Sequence, residues 1–108
     1  MPQANVSVIW LDRNEARIFH VSEERMERKT LKGAGKASGA FFNDIGVQLA
    51  ASAGNVVILG SGGEGAALRE HLERNAPDVA ERIVGCETLE SPADHEIAAY
   101  ALRALKVR

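Results

Sequence analysis

The stretch Asn55-Val56-Val57-Ile58-Leu59-Gly60-Ser61-Gly62-Gly63-Glu64-Gly65 decides the fold. The unbroken apolar run Val56 to Leu59 predicts a strand covered on both faces, because a half-exposed strand would alternate. The glycines after it predict a tight turn. Ser61 and Glu64 stand at capping-box spacing, so a helix should begin there. Leu68 and Leu72 recur at helical spacing, Arg69, Glu70, Glu73 and Arg74 point away from them, and Pro77 ends the run. Val79 and Ala80 allow a short helical turn. Arg82 to Leu89 reads as the next strand, a buried-looking one that carries Cys86. This is a strand-helix-strand unit, which makes its strands parallel.

Upstream, Val6 to Leu11 and Ala16 to Val21 are mostly β-branched or aromatic, with the polar turn Asp12-Arg13-Asn14-Glu15 between them. They predict an antiparallel hairpin. Met26 to Leu31 can add a third strand, and its charges suit a sheet edge. Lys32 to Gly39 is Gly-rich and basic and reads as a flexible loop over 32–40. Phe41, Ile45 and Leu49, with Phe42, Ala50 and Ala53 nearby, predict an amphipathic helix ending near Gly54.

Downstream, Ser91-Pro92-Ala93-Asp94 predicts the last helix start, with Ser at the N-cap and Pro at N1. Ile97, Ala98, Ala101, Leu102 and Leu105 form its apolar face, and Lys106 and Arg108 suit its negative end. The order is β-β-β-α-β-α-β-α. An antiparallel meander followed by a βαβ unit predicts a mixed sheet in a three-layer α/β/α sandwich.

The sequence has 108 residues, 45% of them hydrophobic and 26% charged, with Lys+Arg 13 against Asp+Glu 15. One domain over 1–108 is expected. There is no room for a two-domain enzyme or a full dinucleotide-binding domain. A net charge of −2 gives no global attraction to nucleic acid, and DNA binding is not expected. A single cysteine, Cys86, forms no internal disulfide. The N-terminus lacks a signal-peptide pattern, and no apolar run approaches the ~20 residues that span a membrane. A cytoplasmic protein is expected.

Gly60-Ser61-Gly62-Gly63-Glu64-Gly65 fits the dinucleotide fingerprint in form. Its glycines and the helix N-terminus suit a phosphate, so Gly60, Ser61, Gly62, Gly63 and Gly65 are candidate phosphate-binding residues. Glu64 inside the turn and the single βαβ unit weigh against a dinucleotide. The plainer alternative is a turn that needs glycine for its geometry.

Arg25, Arg28, Lys29, Lys32 and Lys36 form the one cationic concentration. They are candidate contacts for RNA or a partner protein. Glu23, Glu24 and Glu27 dilute this charge, and no aromatic is interleaved for base stacking. A solvated edge strand is the plainer alternative. His20, His71 and His95 share no metal spacing, so neither a metal nor a cofactor is expected. His71 reads as solvent-exposed. Cys86 reads as a small hydrophobe rather than a nucleophile, because Glu87 opposes a thiolate.

Val56-Val57-Ile58-Leu59-Gly60-Ser61-Gly62, Leu68-Arg69-Glu70-His71-Leu72, Asn75-Ala76-Pro77-Asp78-Val79-Ala80-Glu81-Arg82-Ile83-Val84-Gly85-Cys86-Glu87-Thr88-Leu89 and Ser91-Pro92-Ala93-Asp94 resemble a known family. It is the third, C-terminal domain of archaeo-eukaryotic peptide-chain release factors and of Pelota. Within that group the chain resembles the small bacterial proteins often labelled translational machinery proteins. Ile9-Trp10-Leu11-Asp12 and Glu15-Ala16-Arg17-Ile18-Phe19 resemble the first hairpin of the same domain.

The resemblance implies a fold related to kink-turn-binding ribosomal proteins. It also implies a non-enzymatic module that contacts ribosomes or translation factors, with ribosomal RNA as a further contact. Release chemistry in that family belongs to a middle domain with a Gly-Gly-Gln tip. Gly62-Gly63-Glu64 lies in a different turn and ends in Glu, so it is read as coincidence. The Asn-Glu plus Lys pattern of kink-turn binders is not evident after Gly60.

Overall fold

In the computed structural model, residues 5–22, 25–33, 38–51, 54–90 and 92–106 are described. The readings made for Glu23, Glu24, Lys36, Ala53, Ser91 and Arg108 lie outside them, as do those for the side chains of Leu105 and Lys106. The elements are β1 (Asn5–Leu11), β2 (Glu15–Ser22), β3 (Met26–Lys32), α1 (Ser38–Ala50), β4 (Asn55–Gly60), α2 (Glu64–Asn75), α3 (Pro77–Ala80), β5 (Ile83–Thr88) and α4 (Asp94–Lys106). They form a five-stranded mixed sheet in the order β3-β2-β1-β4-β5. β3, β2 and β1 make the antiparallel meander, while β1, β4 and β5 run parallel. The architecture is the one the sequence predicts.

Local chemistry starts the hairpin. Asp12 Oδ1 accepts from the N–H groups of Asn14 at 2.8 Å and Glu15 at 2.9 Å, an Asx turn that reverses the chain. The Ile9↔Ile18 pair then sets a register that places every second residue on the same face.

Each face has its own core. Ile9, Leu11, Ile18, Val56 and Ile58 lie under Phe41, Phe42, Ile45 and Leu49 of α1, Leu68 and Leu72 of α2, and Val79 of α3. Val6, Val8, Trp10, Phe19, Val21, Val57 and Leu59 lie under Ile97 and Ala101 of α4. β1 and β4 therefore carry apolar residues on both sides, which is why the Val56–Leu59 run does not alternate. Arg82 ties α1 to this frame. Its guanidinium donates to the Leu49 carbonyl at 2.7 Å, satisfying a helix-end acceptor, and to the Gly54 carbonyl before β4 at 3.2 Å.

Several local expectations are corrected. The Ser61–Glu64 capping box does not form: Gly63 occupies the N-cap position of α2 without a side-chain bond. The Ser61 hydroxyl donates instead to Glu90, a charged acceptor and so a stronger partner. α4 begins at Asp94, two positions later than proline at N1 would place it, and Glu96 reaches back to the Ala93 N–H at 2.7 Å. Leu102 is 47% exposed rather than on the buried stripe with Ile97 and Ala101. β5 is an edge strand, so Cys86 is only half-buried and Val84 is exposed. His71 is half-buried rather than exposed, because α1 packs beside α2. Asn43 Oδ1 lies 2.8 Å from its Nε2, and its ring meets Phe42 edge-on at 5.4 Å.

Ile58 is fully buried at the centre of the sheet. Ile58→Ala should destabilise the protein by about 2–5 kcal/mol, the range for emptying a packed core site. Val84→Ala, on the exposed edge, should change stability by less than about 0.5 kcal/mol. Urea unfolding of both variants checks the contrast.

Candidate functional site

β3 is the outermost strand on one side of the sheet, and every one of its residues except half-buried Leu31 is exposed. Its alternation divides the cationic residues. Arg28 and Lys32 pair in register with Phe19 and Glu15 and share the α4 face, whereas Lys29 pairs with Ile18 and shares the α1 face. Arg28 forms an ion pair with Asp94, Lys32 lies 3.2 Å from Glu15, and Arg25, in the preceding turn, lies 3.9 Å from Glu27. These pairs are exposed and weakly held. Lys29 has no ion-pair partner among the described residues. With His20, Arg25, Glu27 and Gln48 it lines a shallow cavity of about 330 Å³. Lys36 lies outside the described residues. Arg25, Arg28, Lys29 and Lys32 thus wrap the two faces of one edge instead of forming a flat patch.

The α4 side of this edge is fastened by Arg17 on β2. Its guanidinium lies 4.6 Å from the Trp10 ring centroid, a cation–π stack. It donates to Asp94 Oδ1 at 2.7 Å and to the Pro92 carbonyl at 3.0 Å. The Trp10 indole N–H donates to the Leu89 carbonyl at 2.6 Å. Together these contacts hold the segment before α4 against the hairpin. Hydrogen bonding from Arg17, reinforced by Arg28, keeps the Asp94 carboxyl below the usual aspartate range.

The Gly60–Gly65 turn has a different geometry. A Cβ on Gly60 would lie 2.3 Å from the Gly65 nitrogen, so only glycine allows the two backbones to touch. Gly62 sits at φ +57°, in the left-handed region. The turn does aim donors at an anion, and that anion is internal. Glu90 accepts from the Gly62 N–H at 2.9 Å and from the Ser61 hydroxyl at 2.8 Å. The Gly62 bond, then the Ser61 bond, depress its pKa. Glu90 lies far beyond the turn in the sequence, and no local signal marks it as the partner of Gly62 and Ser61.

The remaining polar groups are structural. Ser7, 2% exposed, shares a 2.8 Å hydrogen bond with His20 Nδ1 on the neighbouring strand. Burial lowers the His20 pKa, Glu27 opposes that shift and Lys29 adds to it, which favours the neutral ring. Burial likewise raises the Cys86 thiol, which keeps it protonated and a poor nucleophile. Among the described residues no group of His, Cys, Asp or Glu is arranged to hold a metal. No helix is long and apolar enough to cross a membrane.

Arg17→Ala should cost about 1–3 kcal/mol, because it leaves the Pro92 carbonyl without its donor and Asp94 with Arg28 alone. Arg17→Lys should recover little, since a point charge replaces neither the fork nor the stack. Thermal unfolding checks both. Glu90 and Asp94, with depressed folded pKa values, add stability that is present above their unfolded pKa values and is lost as pH falls through the folded ones. Carbon-detected NMR titration should therefore place the Glu90 midpoint below the usual glutamate value, and Ser61→Ala should move it upward.

No protein-family model matches the chain, and no curated protein sequence does. Solved structures do match. Thermoplasma acidophilum Pelota superposes with a TM-score of 0.73 at 16% identity, covering 91% of this chain and 32% of Pelota. The Saccharomyces cerevisiae protein Dom34, described as a termination-like factor in RNA quality control that interacts with Hbs1, gives 0.67 at 9% identity over 95% of this chain and 35% of its own. An archaeal translation termination factor gives 0.66 at 20% identity over 96% of this chain and 35% of its own. The chain spans about a third of the length of each structure it matches. Its fold is that of a segment found in Pelota, Dom34 and archaeal termination factor chains.

Proposed function

We propose that this protein is a non-enzymatic docking module of the cytoplasmic translation machinery. Its partner is a ribosomal or translation-factor protein, with ribosomal RNA as an accompanying contact. The observation that carries this reading is the shared fold: nearly the whole chain superposes on a third of Dom34 and of an archaeal termination factor, proteins described as an RNA quality-control factor and a translation termination factor. The contact surface is the β3 edge with Arg25, Arg28, Lys29 and Lys32, together with Lys36. The non-catalytic part is supported by Cys86, whose thiol is pushed up by burial and is therefore a poor nucleophile. A phosphate ligand at Gly60–Gly65 would have to displace the Glu90 carboxylate from Gly62 and Ser61, which favours docking over nucleotide binding.

Ribosome co-sedimentation tests the proposal. The protein should travel with ribosomes at low salt and be released as salt shortens the range of charge interactions to a few ångströms. Reversing Lys29 and Lys32 to Glu should weaken co-sedimentation. Absence from ribosomal fractions at low salt rejects the reading.

A further inference from the structure

The two ends of the β2–β3 ladder set its phase. Ser22 N–H donates to the Arg25 carbonyl at one end, and Gly33 N–H donates to the Asn14 carbonyl at the other. In an antiparallel ladder such pairs recur at every second residue. With the observed register, Glu27, Lys29 and Leu31 bond inward to β2. The N–H and C=O groups of Met26, Arg28, Thr30 and Lys32 therefore point outward. No strand pairs with that side of β3 among the described residues.

We infer that this edge receives an extended acidic segment of a partner protein as a sixth strand, antiparallel or parallel to β3. Backbone bonds to Met26, Arg28, Thr30 and Lys32 would supply the pairing, and alternate side chains the selectivity. The charge pattern chooses the occupant. Acidic side chains on one face of the added strand would meet Arg28 and Lys32, and one on the other face would meet Lys29. Exposed Met26 offers an apolar contact at the strand's start.

A second copy of this chain fits less well. Two of the three antiparallel registers of greatest overlap oppose like charges, Lys29 with Lys29 or Arg28 with Lys32, which is destabilising, and the third opposes Arg28 with Arg28 while setting Glu27 opposite Lys29. RNA would use the same cations but none of the outward carbonyls. The inference deepens the docking reading by naming its element and partner chemistry, and it does not depend on the partner being ribosomal.

The test uses an end-blocked octapeptide alternating Glu and Val, with a Lys-Val octapeptide and an oligouridine RNA as competitors. Amide hydrogen exchange by NMR is the readout. Binding of the Glu-Val peptide should slow exchange at Arg28 and Thr30 about tenfold or more, while Glu27, Lys29 and Leu31, already bonded to β2, change little. Thr30→Pro removes an outward donor without touching the inward ladder, so it should abolish binding yet keep the inward amides protected. Should that variant unfold, the Lys29→Glu, Lys32→Glu double variant decides: it should weaken the Glu-Val peptide about tenfold and favour the Lys-Val peptide.

A peptide that leaves the outward amides exchanging freely at millimolar concentration overturns the inference. So does binding that survives Thr30→Pro, or oligouridine occupying Arg28, Lys29 and Lys32 where the peptide fails. Co-sedimentation fails separately, since it reports ribosome association whichever element makes the contact.

Discussion

The parallel pairing of β1 with β4 is the constraint on which the rest of the molecule depends. Ile9 pairs with Ile58 and Trp10 with Leu59, and all four side chains are buried. Adjacent residues point to opposite faces, so both faces of this pair must be covered. Three helices close one side and α4 closes the other. Parallel strands cannot be joined by a tight turn, so this pairing requires the long connection that carries α1, as the parallel β4–β5 pairing requires the crossover that carries α2.

Covering the centre of the sheet leaves its margins exposed. β5 ends one side as a short strand with few charges, while β3 ends the other as a longer, cationic one. α4 packs on β1 and β2, and the Arg17 contacts with Asp94, Pro92 and Trp10 hold its leading segment there. That seat puts Asp94 within reach of Arg28 and leaves the outer side of β3 open. The interaction that fastens the last helix therefore also shapes the surface on which the docking reading rests.

The Gly60–Gly65 turn shows how a motif can be correct in physics and different in use. Its glycines permit backbone contact and a left-handed residue, and its donors do bind a carboxylate. Because that carboxylate belongs to Glu90, the turn works as a clasp between the end of β4 and the segment after β5. The anion preference was legible from spacing, but the occupant was not. Glu90 stands far along the chain, and only the parallel β4–β5 register brings it back to the turn.

Strands, helices and their order followed from local signals: the apolar run at Val56–Leu59, the recurrence of Phe41, Ile45 and Leu49, and the charged character of Met26–Leu31. Burial acts on them residue by residue. Which groups meet across the chain was not legible. Arg17 reaching Asp94, Arg82 capping α1, Asn43 meeting His71 and Ser61 choosing Glu90 over its own helix all join residues that sequence distance separates. The sequence thus determined a mixed sheet with an exposed basic strand. Only the tertiary structure decided which backbone groups of that strand face outward, because a shift of one residue in strand register exchanges inward and outward partners at every position.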